Sequence, residues 1–142
     1  MEYAFIASIF DLLAEDLESI NMLTRQLSGR ARTLDMRALS EVIEHGHLLI
    51  VRLDGRIVGI ATLVPVIIPV GKSGRIEDVV VDEEFRGQGI GRALIMQLIL
   101  KARVLDMDHV DLTSNPKRIA ANKLYPTLGF ELFETNNYSL AL

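Results

Sequence analysis

A mixed α/β fold, mostly antiparallel in its first half and strand–helix–strand in its second, is what this sequence predicts. Three observations carry that prediction. Two apolar runs, 48–53 and 56–64, are joined by Asp54-Gly55 alone, a strong hairpin signal. Segments around 13–27 and 92–105 repeat apolar residues at helical spacing. The run Val79-Val80-Val81 then leads through the glycine-rich stretch RGQGIG directly into the second of those helices.

The elements follow in order. Tyr3–Ile9 reads as a short strand. Leu13, Leu17, Ile20, Thr24 and Leu27 step along one face of a first helix, which Ser28-Gly29 ends. A loop, RARTLDMR, leads to a second helix with Asp35 as N-cap, Met36, Leu39, Val42 and Ile43 as apolar face, and Gly46 as stop. After the hairpin, Pro65, Pro69, Gly71 and Gly74 predict a loop or irregular strand ends. Arg75–Val81 is the third strand of the central set, and its VVV centre predicts burial on both faces. A long helix presents Leu94, Ile95, Leu98, Ile99, Ala102 and Leu105 as a wide apolar face. His109–Thr113 reads as a strand, and Pro116 sits where a helix begins that runs to about Tyr125. Gly129-Phe130 leads into a last strand, Glu131 to Leu140. The predicted order is β-α-α-β-β-β-α-β-α-β, with no linker or repeat, so residues 1–142 are expected to form one domain.

Composition narrows the function classes. Hydrophobic residues make up 49% of the 142, enough for a core and against disorder. A net charge of −4 argues against general nucleic-acid binding. With no cysteine, disulfides, a thiolate nucleophile and cysteine-ligated metals are excluded. His45, His47 and His109 do not converge as metal ligands, so no metal is expected. No apolar run is long enough to span a bilayer and the N-terminus lacks a basic signal region, so the expectation is a cytoplasmic protein that binds neither membrane nor nucleic acid.

The glycine loop carries the chemistry. A helix start leaves N–H groups unpaired and holds the positive end of the helix dipole, so it attracts anions. Glycines at 87, 89 and 91 let the backbone bend and approach a ligand without a Cβ in the way, and Arg86 and Arg92 add charge. The stretch therefore reads as a phosphate cradle. It is neither a P-loop, lacking GxxxxGK[ST], nor the dinucleotide fingerprint, lacking GxGxxG. Three glycines would also make a plain strand-to-helix turn.

Two motifs decide between these readings. VVVDEEFRGQGIGRALI resembles the acetyl-CoA-binding motif of the GNAT superfamily of N-acetyltransferases, a strand and short loop leading to Q/R-x-x-G-x-G/A at a helix start; Arg86, Gly89 and Gly91 match its defining positions. Downstream, AANKLYPTLGF resembles the second signature, A-x-x-L-Y-x-x-x-G-F, through Ala121, Leu124, Tyr125, Gly129 and Phe130. The strand and helix order fits from Tyr3 to Leu140. The resemblance implies the GNAT fold, a central, mostly antiparallel mixed sheet flanked by helices. It also implies direct acetyl transfer from acetyl-CoA to an amine without a covalent enzyme intermediate, and a homodimer.

The same resemblance assigns roles. Backbone N–H groups of Arg86, Gly87, Gln88, Gly89, Ile90 and Gly91, with Arg92, would bind the pyrophosphate. Val79, Val80 and Val81 would pair with the pantetheine amides as if with an extra strand, and an N–H at Val79 or Val80 would stabilise the oxyanion. Tyr125 is the candidate general acid for the departing thiolate. Glu77 is the first candidate base. Asp78 beside it should face the other way by strand alternation, so that only one of them meets the acceptor; a water relay is the other option. Many members carry asparagine seven residues before the tyrosine. This chain has Arg118 there, in an S-x-P-x-R pattern with Ser114 and Pro116, which makes Arg118 a candidate for cofactor or substrate contact. Asn122 is a further cofactor candidate, and Arg30 and Arg32, in a loop the family places at the acceptor site, are candidates for an acidic substrate.

The acceptor stays open at this level. GRIEDVVVDEEFRGQGIG particularly resembles glucosamine-6-phosphate N-acetyltransferases, but I-E-D also occurs in members acting on other amines. A non-catalytic acyl-CoA-binding module is the rival reading, against which the presence of Tyr125 and Glu77 argues.

Overall fold

Asp54 and Gly55 both take positive φ, 48° and 82°, the two-residue turn that an Asp-Gly pair favours. The strands they join, β2 (His47–Leu53) and β3 (Arg56–Ile68), pair antiparallel. In the computed structural model, which describes residues 1–142, three further strands extend this hairpin: β1 (Glu2–Ile6), β4 (Gly71–Val81) and β5 (Val110–Asp111). The sheet order is β1-β2-β3-β4-β5, antiparallel except for the parallel pair β4–β5.

Helices cover both faces. α1 (Asp16–Leu27) and α2 (Met36–His45) bury Ile20, Leu23, Leu39 and Ile43 against Leu48, Ile50, Ile57 and Ile60. α3 (Ile90–Val104) buries Leu94, Ile95 and Leu98 against Leu49, Val51, Val58, Ala61 and Leu63, and Tyr125 of α4 (Ile119–Thr127) joins the same cluster. The two sets alternate along β2, which is why Leu48 to Val51 are all buried in a strand with helices on both sides. Asp35 caps α2 by accepting from the Ala38 N–H at 2.8 Å, and Gly46 follows its end, as the sequence predicts.

Several expectations need correction. β1 stops at Ile6 because Ser8 and Asp11 form a capping box that starts a 3₁₀ turn, Ile9–Asp11. Leu13 lies outside α1 and is exposed. Pro65 and Gly74 do not interrupt the sheet. They face each other across β3 and β4, and the Gly74 N–H points away from β3 to the His109 carbonyl at 3.0 Å. The Pro65–Gly74 pair thus exchanges no hydrogen bond, and the absent proline N–H leaves no gap. Of the VVV run only Val80 is buried, because β4 has no strand beside it on the β5 side beyond Arg75. α4 begins at Ile119 rather than Pro116 and continues through Pro126 in its last turn.

The largest departure is at the end of the chain. The expected strand over Glu131–Leu140 does not form: residues 131–142 adopt no regular element and every one is exposed. The sheet ends at β5, and no residue of the segment is buried.

Candidate functional site

β4 and β5 pair only at Gly74–Val110 and Arg75–Asp111. Beyond that the two strands have no common ladder, and the backbone of β4 from Glu77 to Val81 is paired on its β3 side alone. A pocket fills the opening, lined by Ile76, Glu77, Asp78 and Val79 of β4, by Leu112 and Thr113 just after β5, by Leu27 at the end of α1, and by Arg118 and Tyr125. An extended ligand could use the free edge of β4 as a strand would.

A β-bulge shapes the acidic wall. Ile60 pairs with Val80 and Thr62 with Glu77, so Asp78 and Val79 together oppose the single residue Ala61. Asp78 sits at φ 51°, a left-handed conformation that aspartate tolerates better than most residues. The bulge cancels the alternation expected from sequence: Glu77 and Asp78 line the same pocket instead of opposite faces. They are not equivalent. Glu77 accepts from Arg75 Nε at 2.9 Å, whereas Asp78, an exposed residue whose carboxyl is only partly desolvated by the pocket walls, has its pKa raised by that desolvation first and by the charge of Glu77 second. Because the raised pKa makes ionisation easier in the unfolded chain, stability should fall as pH rises through the carboxylate range. Asp78→Asn is therefore expected to lose the part of the pH dependence that Asp78 supplies as pH rises from the ordinary aspartate range. Thermal melts of the two proteins across that range check it; parallel curves would contradict it.

Opposite the carboxylates, Tyr125 is 7% exposed, with its ring edge-on to Phe130 at 6.0 Å between centroids. Arg118 reaches across the opening and donates to the Val79 carbonyl at 3.2 Å. Tyr125 of the second signature and Val79 of the first thus line one cavity, while Arg86, Gly89 and Gly91 lie outside its lining.

The glycine loop lies at the far end of the β4 edge. Gly87 and Gly89 take φ of 75° and 80°, and a Cβ at either would meet nothing within 4 Å. Glycine is required there by backbone conformation, and open space lies above it. Gly89 caps α3, whose first backbone bond is Ala93 N–H to the Gly89 carbonyl, so the N–H groups of Ile90, Gly91 and Arg92 have no helical acceptor. The conformation, the free N–H groups and the open space suit an anionic, extended ligand.

Gln26 roots this loop, and sequence reasoning missed it. Its Oε1 accepts from the Glu83 N–H at 3.0 Å and from Arg86 Nη2 at 3.5 Å, and its Nε2 donates to Asp82 at 3.5 Å. Asp82 is itself buried and paired with Arg56. Arg86 also donates to the Val81 carbonyl at 3.0 Å. No local pattern marks a glutamine in the last turn of a helix for this task. Leu27, Leu112 and Thr113 were likewise read as helix face or strand, with nothing to single them out as pocket wall.

Other candidates stand elsewhere. Arg30 and Arg32 are exposed in the α1–α2 loop and are not among the pocket residues. Arg92 donates to Thr127 Oγ1 at 3.1 Å, tying α3 to α4. Asn122 spends its amide on the carbonyls of Asn115 and Arg118, both at 2.9 Å, and so fixes the turn that presents Arg118. No cluster of three or more histidine or acidic residues is placed to hold a metal ion, and no helix is long and apolar enough to cross a membrane.

Residues 7–130 match the model of the acetyltransferase (GNAT) family. A glucosamine 6-phosphate N-acetyltransferase from Trypanosoma brucei brucei is 37% identical over 129 residues, covering 86% of this chain and 84% of that protein. Among solved structures, a Trypanosoma brucei acetyltransferase superposes with a TM-score of 0.77 at 30% identity, over 99% of both chains. A putative acetyltransferase from Agrobacterium tumefaciens str. C58 superposes with a TM-score of 0.84 at 20% identity, over 99% of this chain and 100% of that one, a likeness of fold alone.

Proposed function

This chain belongs to the GNAT family of acetyltransferases, and from that premise we propose that the β4–β5 opening acetylates the amine of a small phosphorylated amino sugar, with glucosamine 6-phosphate as the acceptor. Acetyl-CoA is the donor the family uses. The observation that carries the acceptor is the 37% identity to the Trypanosoma brucei brucei glucosamine 6-phosphate enzyme. The pocket has suitable chemistry: two carboxylates for an ammonium group and the Arg118 guanidinium for a phosphate.

In this reading the Gly87–Arg92 amides hold the pyrophosphate and the free β4 edge holds the pantetheine. The N–H of Val79 or Val80 polarises the acetyl carbonyl. One of Glu77 and Asp78, directly or through water, takes the proton released by the ammonium. The amine nitrogen then bonds the acetyl carbon, the carbon–sulfur bond breaks as Tyr125 gives its hydroxyl proton to the departing thiolate, and the second proton that the nitrogen sheds in becoming an amide returns to the Tyr125 oxygen, directly or through water. Asp78 is favoured over Glu77 as base, because a raised pKa strengthens it as a proton acceptor while Glu77 is engaged by Arg75. A homodimer and a cytoplasmic setting complete the proposal as expectations from the sequence.

Thiol released from acetyl-CoA across a panel of glucosamine 6-phosphate, amino acids, polyamines and short peptides tests it. Turnover with the amino sugar alone supports the acceptor. Turnover only with another amine removes that acceptor and keeps the transfer. Silence throughout, with acetyl-CoA bound, would favour a binding module without chemistry. Gly89→Glu places bulk and negative charge in the cradle and forces a side chain into φ 80°, so acetyl-CoA binding by calorimetry is expected to vanish. Intact binding would refute the loop assignment.

A further inference from the structure

The glycine loop has few holds of its own. Between buried Asp82 and buried Ile90 only Phe85 is partly covered, and the rest of residues 83–89 is exposed. Gly87 and Gly89 sit at positive φ with nothing within 4 Å of where a Cβ would stand, so no packing fixes the backbone there. A segment of this kind loses conformational freedom when it closes on a ligand, and that loss weakens binding unless the segment is ordered beforehand. The order comes from outside the loop. Gln26, in the last turn of α1, is the one side chain of another element that accepts from a loop amide, the Glu83 N–H at 3.0 Å. The same oxygen accepts from Arg86 Nη2 at 3.5 Å, and the amide nitrogen donates to Asp82 at 3.5 Å. Asp82 is itself fixed on β3. It is 3% exposed, its N–H donates to the Val58 carbonyl at 2.8 Å, and its carboxylate pairs with Arg56. Gln26 therefore ties the loop, at Glu83 and at Arg86, to an anchored point. All three contacts are polar. The apolar packing of α1 runs through Ile20 and Leu23, which are buried, whereas Gln26 is half-buried.

We propose that Gln26 is a positioning residue for the donor: it orders the 83–91 backbone so that the amides facing the pyrophosphate are aligned before acetyl-CoA arrives. This inference rests on the reading of the loop as the pyrophosphate site. It gives Gln26 a share in the donor affinity that comes from the pyrophosphate end and none in the affinity that comes from the pantetheine end. The β4 edge from Glu77 to Val81 is held by its ladder with β3, and no hydrogen bond joins it to Gln26. Loss of the amide should therefore loosen one end of the donor and spare the other.

Gln26→Met keeps the length of the side chain and its helix propensity and removes both polar groups of the amide. Acetyl-CoA is titrated against parent and variant by calorimetry. S-acetylpantetheine, which lacks the pyrophosphate and the nucleotide, is titrated against both by NMR. Neither titration needs an acceptor. Acetyl-CoA should bind the variant about tenfold more weakly, the scale of hydrogen bonds of this kind, while S-acetylpantetheine should bind both proteins alike. Amide hydrogen exchange over residues 83–89 should be faster in the variant, with a melting temperature close to that of the parent. Unchanged acetyl-CoA affinity would overturn the proposal. So would an equal weakening of both ligands, which would make Gln26 a general support of the fold. Failure of the loop assignment is read separately. If Gly89→Glu still binds acetyl-CoA, that assignment falls and this inference falls with it. If Gly89→Glu abolishes binding and Gln26→Met leaves it intact, only the role of Gln26 is lost.

Discussion

Replacing Tyr125 with phenylalanine is expected to lower kcat by about 10²- to 10⁴-fold, the usual contribution of a placed general acid, while leaving acetyl-CoA affinity unchanged. The substitution removes one oxygen and nothing else. The ring stays buried in the α3-side core, and its edge-on contact with Phe130 is kept, so the fold has no reason to change. What is lost is a proton donor in the wall of the pocket, opposite Glu77 and Asp78. A thiolate leaving without that proton must be expelled as an anion into a half-closed cavity. Two readouts separate this role from simple packing. Steady-state kinetics should show the loss in kcat with KM for acetyl-CoA steady, since the interaction is made only as the thiolate develops. Thermal melting should be nearly that of the parent. A phenylalanine variant with full turnover would make Tyr125 a core residue and return the acid to water.

What the sequence could say about this site divides along a physical line. Demands that a residue meets alone were legible. Gly87 and Gly89 are glycines because their φ is positive, and Asp35 caps α2 through its own side chain. The tyrosine and the loop could be named because each belongs to a short motif. Demands set by a neighbour in space were not. Glu77 and Asp78 are expected on opposite faces because strand alternation assumes a regular ladder, and the bulge opposite Ala61 breaks that ladder. Aspartate tolerates a left-handed φ, and two adjacent acids in an apolar strand were the only local hint. Pro65 looked like a breaker because the direction of the Gly74 N–H, toward β5, cannot be read from either residue. The C-terminal run alternates as a strand does, yet no strand forms there. Whether a ladder exists to receive it depends on the edge of a sheet built from residues much earlier in the chain. The pocket walls from Leu27, Leu112 and Thr113, and the glutamine that anchors the loop, depend on how α1 and α4 pack on that sheet.

Removing Asp16 should cost the fold about 3 kcal/mol, because it breaks a buried ion pair by deleting one partner. Asp16 is fully buried and accepts from Arg52 through both oxygens, at 2.8 and 2.7 Å, and from the Leu13 N–H at 2.8 Å. Arg52 also donates to the Gly55 carbonyl at 2.9 Å, so one carboxylate joins the start of α1, the end of β2 and the hairpin turn. Arg52 keeps some access to water, with its side chain 16% exposed, which puts the cost at the lower end of the range for buried pairs. Asp16→Ala is thus expected to melt about 10 °C lower. Arg52→Ala should be at least as damaging, since it strands the carboxylate, and the double variant should lose less than the sum of the two. Acid sensitivity supplies an independent check. Burial alone would raise the pKa of Asp16, but the Arg52 hydrogen bonds, the Leu13 amide and the Arg52 charge outweigh it and leave the pKa lowered. A lowered carboxyl pKa contributes stability above the ordinary aspartate range, near pH 4, and loses it as pH falls through the folded value. The parent should therefore destabilise more steeply in acid than Asp16→Asn, the two curves converging at low pH. Equal slopes would mean that the pair holds shape without holding charge. At temperatures where both proteins are folded, turnover should be equal, because Asp16 lies at the opposite end of α1 from Gln26 and Leu27, which meet the site.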